Sequence, residues 1–76
     1  MPPVIIRCAR RADASTLARL AALDSKRPPA GDVLIAEVGG EPWAAVAIGD
    51  GHSVADPFRP SADMVPLLRL RAQALA

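Results

Sequence analysis

His52 is the only histidine of this 76-residue chain, and it follows Asp50 by two residues and precedes Asp56 by four. An imidazole near a carboxylate is the usual general-base pair. The same spacing has a plainer origin here, because Asp50-Gly51 is a hairpin-turn dipeptide and His52 is the residue after it. We therefore read His52 as a surface residue flanking a turn. Cys8 is the only cysteine. A nucleophilic thiol needs an activating base, and the stretch around Cys8 supplies none, so a small buried apolar role is expected. One Cys and one His cannot by themselves make a structural zinc site. Asp50, Asp56 and Asp63 fit no calcium loop in their spacing, and turn or capping roles account for two of them. Trp43, next to Pro42, has the make-up of a binding platform, but a core or sheet-rim position is the expectation. These types and spacings give no catalytic, metal-binding or cofactor-binding residue.

The elements that would position them are short. Val4-Ile5-Ile6-Arg7-Cys8 is β-branched and reads as a strand. Asp13 stands as the N-cap of a helix over residues 14–23, with Ser25-Lys26-Arg27 as its fraying end before Pro28-Pro29. Residues 33–38 are apolar on both alternating faces, which predicts a central strand covered on both sides. Gly39-Gly40 predicts a tight hairpin turn, residues 42–48 the next strand, and residues 52–55 a short third strand of the meander. After the break at residues 56–60, Ser61 is the expected cap of a last helix running from Ala62 to about Ala74. Pro66 falls early in it, where a missing N–H is least harmful. Met64, Val65, Leu68, Ala72 and Leu75 form one apolar face of that helix. Leu67, Leu70 and Ala74 form a second ridge, with Arg71 between. The expected fold is α+β, one small domain over residues 1–76: a four-stranded, mostly antiparallel sheet with one helix on each face, in the order β-α-β-β-β-α.

Composition narrows the class. Half of the chain is hydrophobic (51%), which is high for an interior this small. With a single cysteine no intramolecular disulfide exists, so a stapled secreted miniprotein is excluded. No apolar run approaches the roughly 20 residues of a membrane span. The start, Met1 to Arg7, lacks a signal peptide's layout. A cytoplasmic protein with no membrane partner is expected. The net charge of +1 conceals a basic first third and an acidic middle. Arg7, Arg10, Arg11, Arg19, Lys26 and Arg27 come without an aromatic stacking set, so nucleic-acid binding is not expected.

The order of elements and their wording resemble the GNAT superfamily of N-acetyltransferases. Residues 5–14 (Ile5-Ile6-Arg7-Cys8-Ala9-Arg10-Arg11-Ala12-Asp13-Ala14) look like that family's opening strand, capping Asp and first helix. Residues 33–48 look like its second and third strands. The resemblance implies an acyltransferase-like fold with the first and last helices on opposite sheet faces. The family's specific signature is a turn of the form R-x-x-G-x-G/A, whose backbone N–H groups hold the pyrophosphate of acetyl-CoA at a helix N-terminus. Here the corresponding stretch is Phe58-Arg59-Pro60-Ser61-Ala62-Asp63-Met64. Arg59 is present, glycine is absent, Pro60 removes a donor, and Asp63 places a negative charge where phosphate would sit. The family's fifth strand and fourth helix have no sequence after residue 76. The resemblance therefore implies a truncated acyltransferase-like fold, and no catalytic or cofactor residue carries over.

The expected function is a small non-enzymatic scaffold or protein-interaction module, acting as a homodimer or as a partner-binding subunit. The alternative is a degenerate N-acetyltransferase-like protein that retains acyl-CoA binding, so any enzyme here would be an N-acyltransferase. Two surfaces are the candidates for association. One is the ridge of Leu67, Leu70 and Ala74. The other is the edge of the strand carrying His52 and Val54, which pairs with the fifth strand in the full family.

Overall fold

The computed structural model describes residues 3–75; Met1 and Pro2, part of the start read above as lacking a signal peptide's layout, lie outside it, as does Ala76. Strand β1 (Val4–Cys8) leads through a 3-10 turn (Arg11–Asp13) into helix α1 (Ala14–Leu23). Three strands follow, β2 (Val33–Val38), β3 (Glu41–Ala47) and β4 (Ser53–Ala55), and then helix α2 (Met64–Leu75). The sheet order is β1-β2-β3-β4, and every pairing is antiparallel.

The turns explain the order. Gly39 and Gly40 both have positive φ, 59° and 83°, the signature of a two-residue type I′ turn whose twist suits a hairpin. Gly51, at φ 73°, closes the β3–β4 connection and donates its N–H to the Ala47 carbonyl at 2.9 Å. The β2–β3 register slips between Ala36 and Glu37, leaving Trp43 as the extra residue of a β-bulge.

Because strand side chains alternate in direction, the apolar run of β2 feeds two cores. Val33 and Ile35 join Ala45, Ala47, Val54, Leu17, Leu20 and Ala21 beneath α1. Leu34 and Ala36 join Ala44, Val46, Leu68 and Ala72 beneath α2. One helix therefore lies on each face, as the two-faced β2 requires. Many of these positions are alanine, so each helix lies close to the sheet and a few large side chains, Leu20, Ile35, Val46, Val54 and Leu68, fill the layers.

Local capping differs from the sequence expectation. Asp13 makes no side-chain cap on α1; Arg7 and the Arg10 N–H take its carboxylate instead. Ser61 donates its hydroxyl to the Asp56 carbonyl at 2.8 Å, and α2 begins at Met64, with Pro66 inside its first turn. Leu75, assigned to the core face by its spacing, is 54% exposed, because the last turn of α2 carries it away from the buried pair Leu68 and Ala72.

The C-terminus of α1 does not fray. Ser25 stands in the left-handed region at φ 54°. The Lys26 N–H donates to the Ala21 carbonyl (2.9 Å) and the Ser25 N–H to the Ala22 carbonyl (3.2 Å). That double closure is a Schellman motif. It holds Asp24 and Lys26 over the outer edge of β4.

Candidate interaction surface

The residues with chemical potential are spread out and occupied. His52 is half-buried. Its Nε2 lies 2.8 Å from the Arg27 carbonyl, and its backbone N–H donates to Asp50 Oδ1 at 2.9 Å. That N–H, followed by Arg27 at 3.5 Å, holds the Asp50 carboxyl below its ordinary range. His52 thus ties the β3–β4 turn to the segment after α1. Asp56 is buried and receives the Phe58 N–H at 2.9 Å. Arg59 pairs with Glu41 and lies over the Trp43 ring, 5.9 Å from its centroid, a cation–π arrangement. The Trp43 indole Nε1 is shielded from solvent and has no hydrogen-bond partner among the described residues. Cys8, expected to be buried, is exposed. The reason is that α2 lies over β3 and β2 and leaves β1 largely uncovered. Among the described residues no group of three or more His, Cys, Asp and Glu could hold a metal ion.

One buttress is electrostatic. Arg7, on the α1 side of β1, donates bidentately to Asp13 (2.8 and 2.8 Å) and through Nε to Glu37 (2.9 Å). Its hydrogen bonds, and next the Arg10 N–H, hold the Asp13 carboxyl well below the usual carboxylate range. Asp13, and then Glu37, push the guanidinium further above its already high value. This network ties β1 to β2 and to the start of α1.

The two sheet edges differ. In β4 the backbone groups of His52, Val54 and Asp56 face β3: the Ala47 N–H donates to His52 (2.9 Å) and the Asp56 N–H to Trp43 (2.9 Å). Ser53 and Ala55 face outward. The Ala55 N–H donates to Asp24 Oδ2 at 3.1 Å, and Lys26 Nζ donates to the Ser53 carbonyl at 3.4 Å. The β4 edge, expected from the sequence to lack partners, is therefore partly occupied, and the Val54 side chain is fully buried beneath α1. Its place is the core.

In β1 the groups of residues 3, 5, 7 and 9 face β2, as the bonds Gly39 N–H to Pro3 (3.3 Å) and Ala9 N–H to Val33 (2.7 Å) show. By alternation Val4, Ile6 and Cys8 turn their backbone groups outward, where β1 has no neighbouring strand among the described residues. Of these groups the Cys8 carbonyl accepts from Arg7 Nη1 at 3.3 Å. Above this strand, on the α2 side, lies a groove of about 300 Å³ lined by Ile6, Leu67, Leu70, Arg71 and Ala74. Leu67 is 50% exposed and Leu70 67%.

Of the expected association residues, Leu67, Leu70 and Ala74 lie together on the surface, whereas His52 and Val54 belong to the β4 turn and the α1 core. The β1 edge escaped the sequence reading. Its signal was present in the uncharged alternate set Val4, Ile6 and Cys8, set against Arg7 on the other face. A scan against protein-family models and searches of the curated proteins and of the solved structures find no match for this chain.

Proposed function

We propose that this chain is a small protein-interaction module, without chemistry of its own, that works as a homodimer. The observation that carries the reading is the apolar groove of Ile6, Leu67, Leu70 and Ala74. Leu68 and Ala72, with Met64 and Val65 beside them, already anchor α2 to the sheet, so Leu67 and Leu70 are surplus to the fold. Contiguous apolar surface of this kind marks interaction sites on small proteins. From their exposures and about 1.45 Å² of unfolded area per dalton, covering both leucines contributes about 2–3 kcal/mol each before association costs.

The acyltransferase-like character belongs to the same proposal. Its support is the element order β-α-β-β-β-α with the helices on opposite faces. Arg59, which stands where the family's cofactor turn would be, is engaged with Glu41 and Trp43. The neighbouring Pro60 and Asp63 disfavour a diphosphate.

Sedimentation velocity over a range of concentrations tests the reading. The wild type is expected to dimerise, and Leu70→Asp to weaken the dimer by at least a hundredfold with the fold intact. A wild type that stays monomeric at several hundred micromolar refutes self-association. Acetyl-CoA binding with a low-micromolar Kd by calorimetry would instead promote the acyl-CoA-binding alternative.

A further inference from the structure

The geometry points to a specific dimer: two copies join edge to edge through β1, antiparallel, with Ile6 opposite the partner's Ile6 on the two-fold axis. This rests on the self-association reading and adds the surface and the register.

Three observations carry it. First, the two sheet edges differ: the outer side of β4 is partly covered and that of β1 is open. Asp24 takes the Ala55 N–H and Lys26 the Ser53 carbonyl on the outer side of β4, whereas β1, five residues long, has no neighbouring strand on its outer side among the described residues. An open, apolar strand edge is a template for further pairing. A symmetric contact of β1 with β1 uses the same edge on both copies and closes on itself at two.

Second, the outward-facing set is symmetric about its centre. A two-fold axis at Ile6 pairs Val4 with the partner's Cys8 and Ile6 with the partner's Ile6, all as hydrogen-bonded pairs, for up to about six interchain bonds. On the opposite face Arg7 meets the partner's Ile5. The partner's Arg7 is a diagonal neighbour on that face, about 7–8 Å away, and the charge of each Arg7 is already compensated within its own chain by Asp13 and Glu37.

Third, the register gathers exposed apolar surface at one seam. The axis is perpendicular to the extended sheet, so both α2 helices lie on the same side. The partner's Val4 and Ile6 then extend the floor of the groove beside Leu67 and Leu70. A specific interface needs at least about 500 Å² from each partner. From their exposures, Val4, Leu67 and Leu70 supply roughly 250 Å² of it, and the backbone edge, Ile6, Cys8, Ala74 and the Arg71 methylenes lie between them.

The register sets a cross-linking test. Val4 and the partner's Cys8 have Cα atoms about 5.5 Å apart, within disulfide reach. The two native Cys8 residues lie about 13 Å apart along the strands and cannot bond. Oxidised Val4→Cys should therefore run as a covalent dimer on a non-reducing gel, while wild type and the double variant Val4→Cys/Cys8→Ser should not. Cys8→Pro removes an outward N–H that β2 does not use, a change edge strands tolerate. It should raise the dimer dissociation constant about thirtyfold, from two lost interchain bonds, while the Ile5 and Arg7 amides keep their protection from hydrogen exchange. A dimer that neither cross-links through Val4→Cys nor weakens with Cys8→Pro overturns the β1 register and leaves self-association standing. A wild type monomeric at several hundred micromolar overturns both.

Discussion

Asp24→Ala should both destabilise the fold and alter its assembly. The Asp24 carboxylate accepts the Ala55 N–H at 3.1 Å and pairs with Lys26 at 3.2 Å. It is held there by the Schellman closure at Ser25, and 24% of its side-chain surface is exposed. A hydrogen bond to a charged group contributes about 1.5–3 kcal/mol when shielded, and water replaces part of it at a half-open edge, so the expected loss is about 1–2 kcal/mol. For a domain of this length that lowers Tm by roughly 5–15 °C. Asp24→Asn retains an acceptor and should lose less. The second consequence concerns growth. With β4 unsealed, its edge can pair with the β1 edge of another copy, a head-to-tail contact that does not close. Calorimetry gives the Tm, and light scattering over a concentration series gives the mass. A Tm within about 1 °C of wild type for both variants would show that Asp24 does not seal the edge. A lowered Tm with no mass beyond the wild-type assembly would keep the stability argument and refute the one about growth.

Other changes have equally direct outcomes. Ser25→Gly relieves a left-handed backbone at φ 54° and should stabilise by about 0.5–1 kcal/mol in denaturant titration, less than the full strain because glycine is freer when unfolded. Leu68→Ala empties the centre of the α2 layer, where the side chain is fully buried, and should cost about 2–5 kcal/mol, enough to unfold much of the population at 37 °C. The Asp13 carboxyl is depressed in the folded state, so its contribution is present above its ordinary value of 3.8 and is lost as pH falls below it. An acid titration followed by circular dichroism should show wild type losing stability below about pH 4, and Asp13→Asn showing a shallower loss across that window.

How far the sequence alone reaches depends on how local each cause is. The hairpins follow from Gly39-Gly40 and Asp50-Gly51, and the two-faced β2 from an unbroken apolar run, because turn dihedrals and strand alternation are set by a few adjacent residues. Those local rules were enough for the α+β class, the element order and a helix on each face. They were also enough to separate Leu67, Leu70 and Ala74 from the core side of α2. The state of the two sheet edges depended on residues far apart in the chain. Asp24 and Ala55 are 31 positions apart, and no pattern around either one shows that a helix end will close over a strand edge. Cys8 lost its expected burial for the same reason. Burial in a sheet depends on where the covering helix comes to rest, and α2 settled over β3 and β2, leaving β1 open. Periodicity states which side chains share a face; only the packed sheet decides which face, and which edge, meets water.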